Sequence, residues 1–219
     1  MSPLNRRSFL KRTALAGAVL GFPSIIPASA LGKDGTVAPS NRLQLVGIGL
    51  KAQGGGDMRQ LMSKKGVQVI AICDVDRRVL KSVSENVVKK GLSAPNQYVD
   101  FREMLAKEKP DAAVHGLPDH WHGVISCALL RAGIDVYGEK PLAKTWAEGK
   151  AIADAVKENG RVWQTGMWQR STPNFRRGVE LVRNGMLGKI LKVEVGTGPN
   201  KQVMPPAPQP GEKAPAEVD

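Results

Sequence analysis

A glycine turn between a short apolar run and a helix narrows what this chain can fold into more than any other feature. Leu43-Gln44-Leu45-Val46 reads as a buried strand and ends in Gly47-Ile48-Gly49. The chain then runs through Gly54-Gly55-Gly56-Asp57 into Met58-Arg59-Gln60-Leu61-Met62, which reads as a helix. Strand, glycine turn and helix form the layout of a dinucleotide-binding unit. Glycine lets the backbone turn tightly and approach a pyrophosphate, whose charge then rests on the free N–H groups of the helix start. After Gly47-x-Gly49 the usual third glycine falls at Ala52. Either Ala52 serves, or the turn carries two extra residues and Gly54 serves. The second is favoured because Gly54 then sits at the helix start. A G-x-G alone equally marks an ordinary strand-to-helix turn.

The next segment adds weight to the dinucleotide reading. Val67–Cys73 is a second apolar strand, and Asp74-Val75-Asp76 closes it. An acid about 20 residues past the glycines accepts hydrogen bonds from the adenosine ribose. Asp74, first past the strand, is the better candidate. Capping of the next helix is the other use for Asp74 and Asp76. Arg77-Arg78 follow and could pair with a 2′-phosphate, so NADP stays open beside NAD.

Strands and helices then alternate. A helix is expected over residues 77–90, a loop over 92–97 and a short helix over 101–109. A third strand, residues 111–115, opens into the elbow Gly116-Leu117-Pro118-Asp119-His120-Trp121-His122 and a helix to Ala132. The fourth strand, 134–137, ends in Gly138-Glu139-Lys140-Pro141. Thr145 with Glu148 three residues on is a capping box. A fifth strand covers 161–165, a helix 173–184, and alternating Lys189 to Val195 a sixth strand. This order predicts an α/β fold, a doubly wound parallel sheet of Rossmann type.

The 219 residues suffice for one good-sized domain or one and a fraction. Residues 1–30 read as a targeting segment. Asn5-Arg6-Arg7-Ser8-Phe9-Leu10-Lys11 resembles the twin-arginine export motif, an apolar stretch follows, and Ala28-Ser29-Ala30 is a small-residue cleavage site. Gly17, Gly21 and Pro23 break the apolar part, so it is a poor membrane span. Export to the periplasm by the twin-arginine machinery is the expectation. Removing the segment lowers the formal charge from +12 to +8. The excess is spread along the chain, without an aromatic-interleaved basic patch, which argues against nucleic acid as partner. Residues 31–41 read as a lead-in, and 199–219, rich in Pro, Lys and Glu, as a disordered tail. Cys73 and Cys127 read as packed thiols.

All three histidines lie between residues 115 and 122. His115, Asp119, His120 and His122 could supply metal ligands, but residues of an elbow point in different directions and no further ligand motif appears, which argues against a metal site. Helix capping by Asp119 with His120 and Trp121 packed on the elbow is one reading. The other is that the elbow lines a cofactor crevice, which in open α/β sheets lies at the carboxyl ends of the strands. The Glu139-Lys140-Pro141 turn falls at the same ends. Lys140 there can polarise a hydroxyl or carbonyl, or be a surface lysine paired with Glu139.

Five motifs occur in order: Gly-Ile-Gly after the first strand, Cys73-Asp74-Val75-Asp76, Pro118-Asp119-His120-Trp121-His122, Gly138-Glu139-Lys140-Pro141-Leu142, and Gln164-Thr165-Gly166-Met167-Trp168-Gln169-Arg170-Ser171. With them the chain resembles the Gfo/Idh/MocA family of NAD(P)-dependent oxidoreductases over roughly residues 42–200. The resemblance implies a dinucleotide-binding domain over 42–171. A hinge helix and the first strand of a truncated second α/β domain would cover 172–198. It implies NAD as cofactor, held by Gly47, Gly49, Gly54, Asp74, Pro118, His122, Glu139, Lys140, Gln169 and Arg170. Lys140 would be the catalytic group beside the nicotinamide. The implied reaction is hydride transfer to or from a sugar or polyol hydroxyl. The alternatives are the redox-neutral, NAD-dependent glycosidase branch of the family, or a non-catalytic dinucleotide-binding fragment. Members carry an Asp-x-x-x-His pair in the second domain, its His the usual acid/base, and no histidine follows His122 here. The expectation is weak turnover by this chain alone, with homo-oligomerisation left open for a longer form.

Overall fold

The computed structural model describes residues 27–33, 35, 37–196 and 218. The twin-arginine motif and nearly all of the Pro-rich tail lie outside the described residues. Among the described residues, those up to Arg42 and those from Leu43 onward fall into two units. In the first, Ala28–Leu31 and Pro39–Asn41 make short 3-10 turns, and Arg42 Nε donates to the Val37 carbonyl.

The second unit is one parallel sheet with helices on both faces. Its strands are β1 (Leu43–Ile48), β2 (Val67–Cys73), β3 (Asn96–Tyr98), β4 (Ala112–His115), β5 (Asp135–Glu139) and β6 (Trp163–Gly166). Helices α1 (Gln53–Leu61), α2 (Arg77–Lys89), α3 (Phe101–Lys107), α4 (Asp119–Arg131) and α5 (Trp146–Asn159) connect them, and α6 (Pro173–Arg183) follows the sheet. The strand order is β3-β2-β1-β4-β5-β6. The direction of winding reverses between β1 and β4, and the carboxyl ends of these two strands are where a crevice opens.

Side chains alternate across the sheet and supply two cores. Val46, Ile48, Ala71, Ala113 and Val136 face α3, α4 and α5, meeting Met104, Leu129, Leu130 and Ile152. Leu45, Val69, Ile72 and Val114 face α1 and α2, meeting Met58, Leu80 and Val87. The pairing of β1 with β2 skips Ile70, a bulge that returns Val69 and Ala71 to opposite faces. Each fully buried aliphatic side chain contributes about 1.5–3 kcal/mol relative to exposure. Both cysteines are free and buried. Burial, with the Asp74 charge beside it, pushes the Cys73 thiol up to about 12, so it stays an inert packed group.

Helix ends follow local chemistry. Asp76 and Asp100 cap α2 and α3 by accepting from the N–H two residues on. Thr145 and Glu148 form the expected reciprocal box at α5, which ends in left-handed Gly160. At α4 the cap position is Pro118 and no side chain caps it, so Asp119 does not have the capping role considered for it.

Two expectations are corrected. The stretch expected as a loop over 92–97 contains the start of β3, an edge strand of three residues paired with β2. The strand expected at 189–195 is absent. Leu191, Val193 and Val195 are 86%, 75% and 88% exposed, and no strand pairs with this stretch among the described residues. Alternating apolarity gives strand propensity, but a strand persists only when a neighbour satisfies its backbone groups. Among the described residues no helix is long and apolar enough to cross a membrane.

Candidate dinucleotide cleft

The site begins where β1 runs out. Gly49 has φ +67, the left-handed region that glycine tolerates. A Cβ there would lie 2.9 Å from the Gly116 carbonyl oxygen, and one on Gly54 would lie 2.1 Å from the Gly49 carbonyl oxygen. Gly49, Gly54 and Gly116 therefore bring the start of α1 against the ends of β1 and β4 with no side chain between. Gly47 lies inside β1, and a Cβ on it would meet Leu50 Cδ2 at 2.8 Å and the Met58 side chain. The tight turn thus starts at Gly49 rather than Gly47, and Gly54 follows it by five residues. That is the span between first and last glycine of G-x-G-x-x-G, with Lys51 where the middle glycine would stand. No residues are inserted. Gly47 and Gly54 are spacers for packing, and Gly49 is the one of the three that lines the cleft.

No side chain caps the start of α1, so its first N–H groups are free to meet an anion. Ala52, the cap residue, sits at φ 50, ψ −114, a conformation costly for a residue with a Cβ. Asp74, at the end of β2, holds the turn. Its Oδ2 accepts from the Leu50 N–H at 2.8 Å and its Oδ1 from the Asp76 N–H at 2.9 Å. Each carboxylate oxygen has a second lone pair, so Asp74 keeps capacity to accept from hydroxyls in the cleft. Asp76 is bound by Arg78 at 2.8 Å. That guanidinium, chiefly by its hydrogen bond, holds the Asp76 carboxyl down to about 2.

A cleft of about 600 Å³ opens here. Gly49, Lys51, Asp74 and Asp76 form one wall, Gly116, Leu117, Pro118 and Trp121 another, and Val99, Asp100, Phe101 and Arg102 the outer end. Val218 also reaches it through an isolated antiparallel bridge to Asp76. An apolar slot, a carboxylate at the end of β2, and an uncapped helix start held close by glycines fit the adenosine and pyrophosphate of a dinucleotide.

His122 was expected to line the cofactor, but it is fully buried behind the cleft wall. Its Nε2 lies 2.9 Å from the Leu117 carbonyl oxygen, which can only accept, so Nε2 carries the proton. Ser126 spends its hydroxyl proton on the His122 carbonyl, so His115 Nε2–H must donate to Ser126 Oγ at 3.1 Å. Both Nδ1 atoms lack a hydrogen-bond partner among the described residues. The rings meet edge to face at 5.1 Å. Burial, then the neighbouring His122, drives the His115 imidazole down to about 3, so it is neutral. His122 thus braces the Leu117-Pro118 segment from behind. Pro118 is exposed and does line the cleft, while Asp119 and His120 face solvent.

The second half of the site follows β5 and β6. Parallel register aligns Ile48 with His115, His115 with Gly138, and Glu139 with Gly166, so all four carboxyl ends share one side. Lys140 is exposed there, one residue past β5. Glu139 is buried, and its Oε2 accepts the Lys140 N–H at 3.1 Å. A Cβ on Gly166 would lie 2.4 Å from Glu139 Oε1, so the glycine makes room for this carboxyl. Burial raises the Glu139 pKa, the Lys140 N–H opposes that, and the Asp57 charge adds to it. Asp57 Oδ2 and Glu139 Oε1 are both buried, and among the described residues neither has a donor; a proton held on one carboxyl can bond the other, which also raises the Glu139 pKa. Glu139 therefore shapes the turn that presents Lys140. Gln169 and Arg170, in the 3-10 turn Trp168–Ser171, are exposed beyond the end of β6. Sequence reasoning missed Lys51 and Asp57. Lys51 was legible once the glycine spacing was counted from Gly49. Asp57 looks like any helix-start acid until its burial is known.

A family profile described as an oxidoreductase family with an NAD-binding Rossmann fold matches residues 42–167. A glycosyl hydrolase family 109 protein of Shewanella pealeana is 29% identical over 87% of this chain and 45% of its own length. A protein of Shewanella oneidensis named alpha-N-acetylgalactosaminidase is 27% identical over 89% of this chain and 46% of its own. The crystal structure of myo-inositol 2-dehydrogenase from Lactobacillus plantarum superposes with a TM-score of 0.60 at 28% identity, over 68% of this chain and 43% of that one. The chain spans about half the length of the curated relatives it matches.

Proposed function

The chain belongs to the Gfo/Idh/MocA oxidoreductase family and carries its NAD-binding Rossmann domain, and on that premise we propose that it serves an exported enzyme moving a hydride to or from a sugar or polyol hydroxyl. NAD would supply the hydride acceptor or donor. The reading rests above all on one observation: the cleft at the β1/β4 switch and the Glu139-Lys140 turn lie at the same carboxyl ends of one sheet. Asp74 and the uncapped start of α1 would hold the nucleotide, and Pro118 would bound it. The Lys140 ammonium would polarise the reacting oxygen, with Gln169 and Arg170 near the substrate. The likeness to a myo-inositol dehydrogenase supports a polyhydroxylated substrate.

A second reading is favoured by the names of the curated relatives: a glycosidase that uses NAD transiently and returns the hydride. Net NADH production separates the two. A polyol or sugar panel should give stoichiometric NADH under the first reading. A nitrophenyl glycoside should release nitrophenol without net NADH under the second. Because the chain spans about half the length of its curated relatives, the fair test is a form extended to their length; these 219 residues should bind NAD yet turn over slowly. Lys140→Ala in the extended form should cut turnover by about 10²–10⁴ with little change in cofactor affinity. Unaltered turnover would remove Lys140 from the chemistry.

Export is part of the proposal and rests on Arg6-Arg7 and the apolar stretch after them. Changing both arginines to lysine should leave the protein unprocessed in the cytoplasm. Normal processed protein in the periplasm would count against this route.

A further inference from the structure

We propose that Lys51 is the counter-ion of the cofactor pyrophosphate, doing with a charged side chain what a bare glycine backbone does elsewhere in this kind of turn. The structure places Lys51 between Gly49 and Gly54, at the middle position of the glycine fingerprint, on the wall of the cleft. A glycine there would let the backbone alone approach the phosphates. A lysine adds a Cβ and a mobile ammonium at the same point. The backbone donor next to it is already committed, because the Leu50 N–H is bound by Asp74 at 2.8 Å. The turn therefore has one N–H fewer to offer an anion, and a cation on the adjoining residue.

The charges of the cleft wall make the case specific. Asp74, Asp76 and Asp100 line it as acids, and Lys51 and Arg102 as bases. Arg102 is tied to Asp100 at 2.7 Å, and Asp76 is bound by Arg78 at 2.8 Å. Lys51 has no carboxylate within ion-pair distance among the described residues, and its side chain is exposed to the cleft. A dinucleotide bridge carries two negative charges. Beside three carboxylates it needs a cation not tied up in an ion pair; the Lys51 charge acts on Asp76 only at a distance, so among the described residues Lys51 is the one on this wall whose ammonium can still turn to the anion. Being on the residue before the cap of α1, the ammonium adds to the favourable field of the helix start.

The inference rests on the cofactor cleft proposed above, and the test separates the two. ADP-ribose, 2′-phospho-ADP-ribose and adenosine are titrated calorimetrically into the full chain and into Lys51→Gly, Lys51→Met and Lys51→Arg. Lys51→Gly restores the glycine, so it tests charge against backbone room. Loss of a charge-assisted contact should weaken ADP-ribose binding roughly tenfold or more in Lys51→Gly and Lys51→Met. Their affinity should also depend less on salt. Adenosine should bind all four proteins alike, and Lys51→Arg should retain most of the ADP-ribose affinity. Unchanged or tighter ADP-ribose binding by Lys51→Gly would overturn the assignment. A loss confined to 2′-phospho-ADP-ribose would overturn it too, by placing the lysine at the ribose phosphate instead. Failure of the unaltered chain to bind either ADP-ribose or adenosine would bring down the cleft itself, and Lys51 with it.

Discussion

Ala52 and His115 each hold a condition that their side chains would not choose. Ala52 carries a Cβ at φ 50, ψ −114, a strain of about 1–3 kcal/mol. Glycine there would remove the strain and give back part of the gain as unfolded-chain entropy. Ala52→Gly should stabilise the domain by about 1 kcal/mol, read as a higher urea midpoint at unchanged slope. A lower midpoint would show that the turn is not strained. His115 is kept neutral, its pKa lowered from 6.5 to about 3 by burial and by His122. The unfolded chain takes up that proton first. This part of the stability is therefore whole above pH 6.5 and is lost as the pH falls toward 3, by at most about 1.4 kcal/mol per pH unit. Urea unfolding at steps from about pH 7 to about pH 5 should show the loss, and His115→Gln should flatten it. An equal slope in that variant would place the acid sensitivity elsewhere.

Between elements, the critical contact is a glycine one. Gly54 lets α1 lie against the ends of β1 and β4, since a Cβ there would stand 2.1 Å from the Gly49 carbonyl oxygen. That oxygen is backbone and cannot swing aside. Gly54→Ala should destabilise by about 3 kcal/mol and distort the nucleotide turn. Gly56→Ala, two residues from it in sequence with nothing nearer than 3.8 Å, is the matched control and should be neutral or slightly stabilising. Equal midpoints for the two would mean that α1 sits further out than described. Much of this level was legible beforehand. The apolar runs of β1 and β2, the Thr145–Glu148 box and the glycine stops announce themselves because each depends on neighbours in sequence. β3 was not, because Asn96-Gln97-Tyr98 is polar and is a strand only through its pairing with β2. The 189–195 stretch failed in the opposite sense, having the pattern of a strand and no ladder. The fingerprint was misaligned by two residues because Gly47 and Gly49 look alike in sequence. Only backbone angles and neighbours show that the first fills space in β1 and the second turns the chain.

Over the whole molecule, the described surface is uneven. Phe175, Val179 and Val182 lie along one side of α6, each about half exposed, and Met186, Leu187 and Leu191 beyond it are more exposed still. Apolar area of this kind drives self-association when nothing covers it. Replacing Phe175, Val179 and Val182 together by serine should reduce concentration-dependent association in sedimentation velocity and leave NAD affinity unchanged. A variant that associates as strongly would clear this face of the role. The sheet itself gives such association little to build on. Its two border strands, β3 and β6, are three and four residues long, so each rim shows only a few unpaired donors and acceptors. Another chain adding there would gain too few hydrogen bonds to hold its register. Clumps formed by this protein should therefore be amorphous, dissolve on dilution and leave amyloid dyes dark.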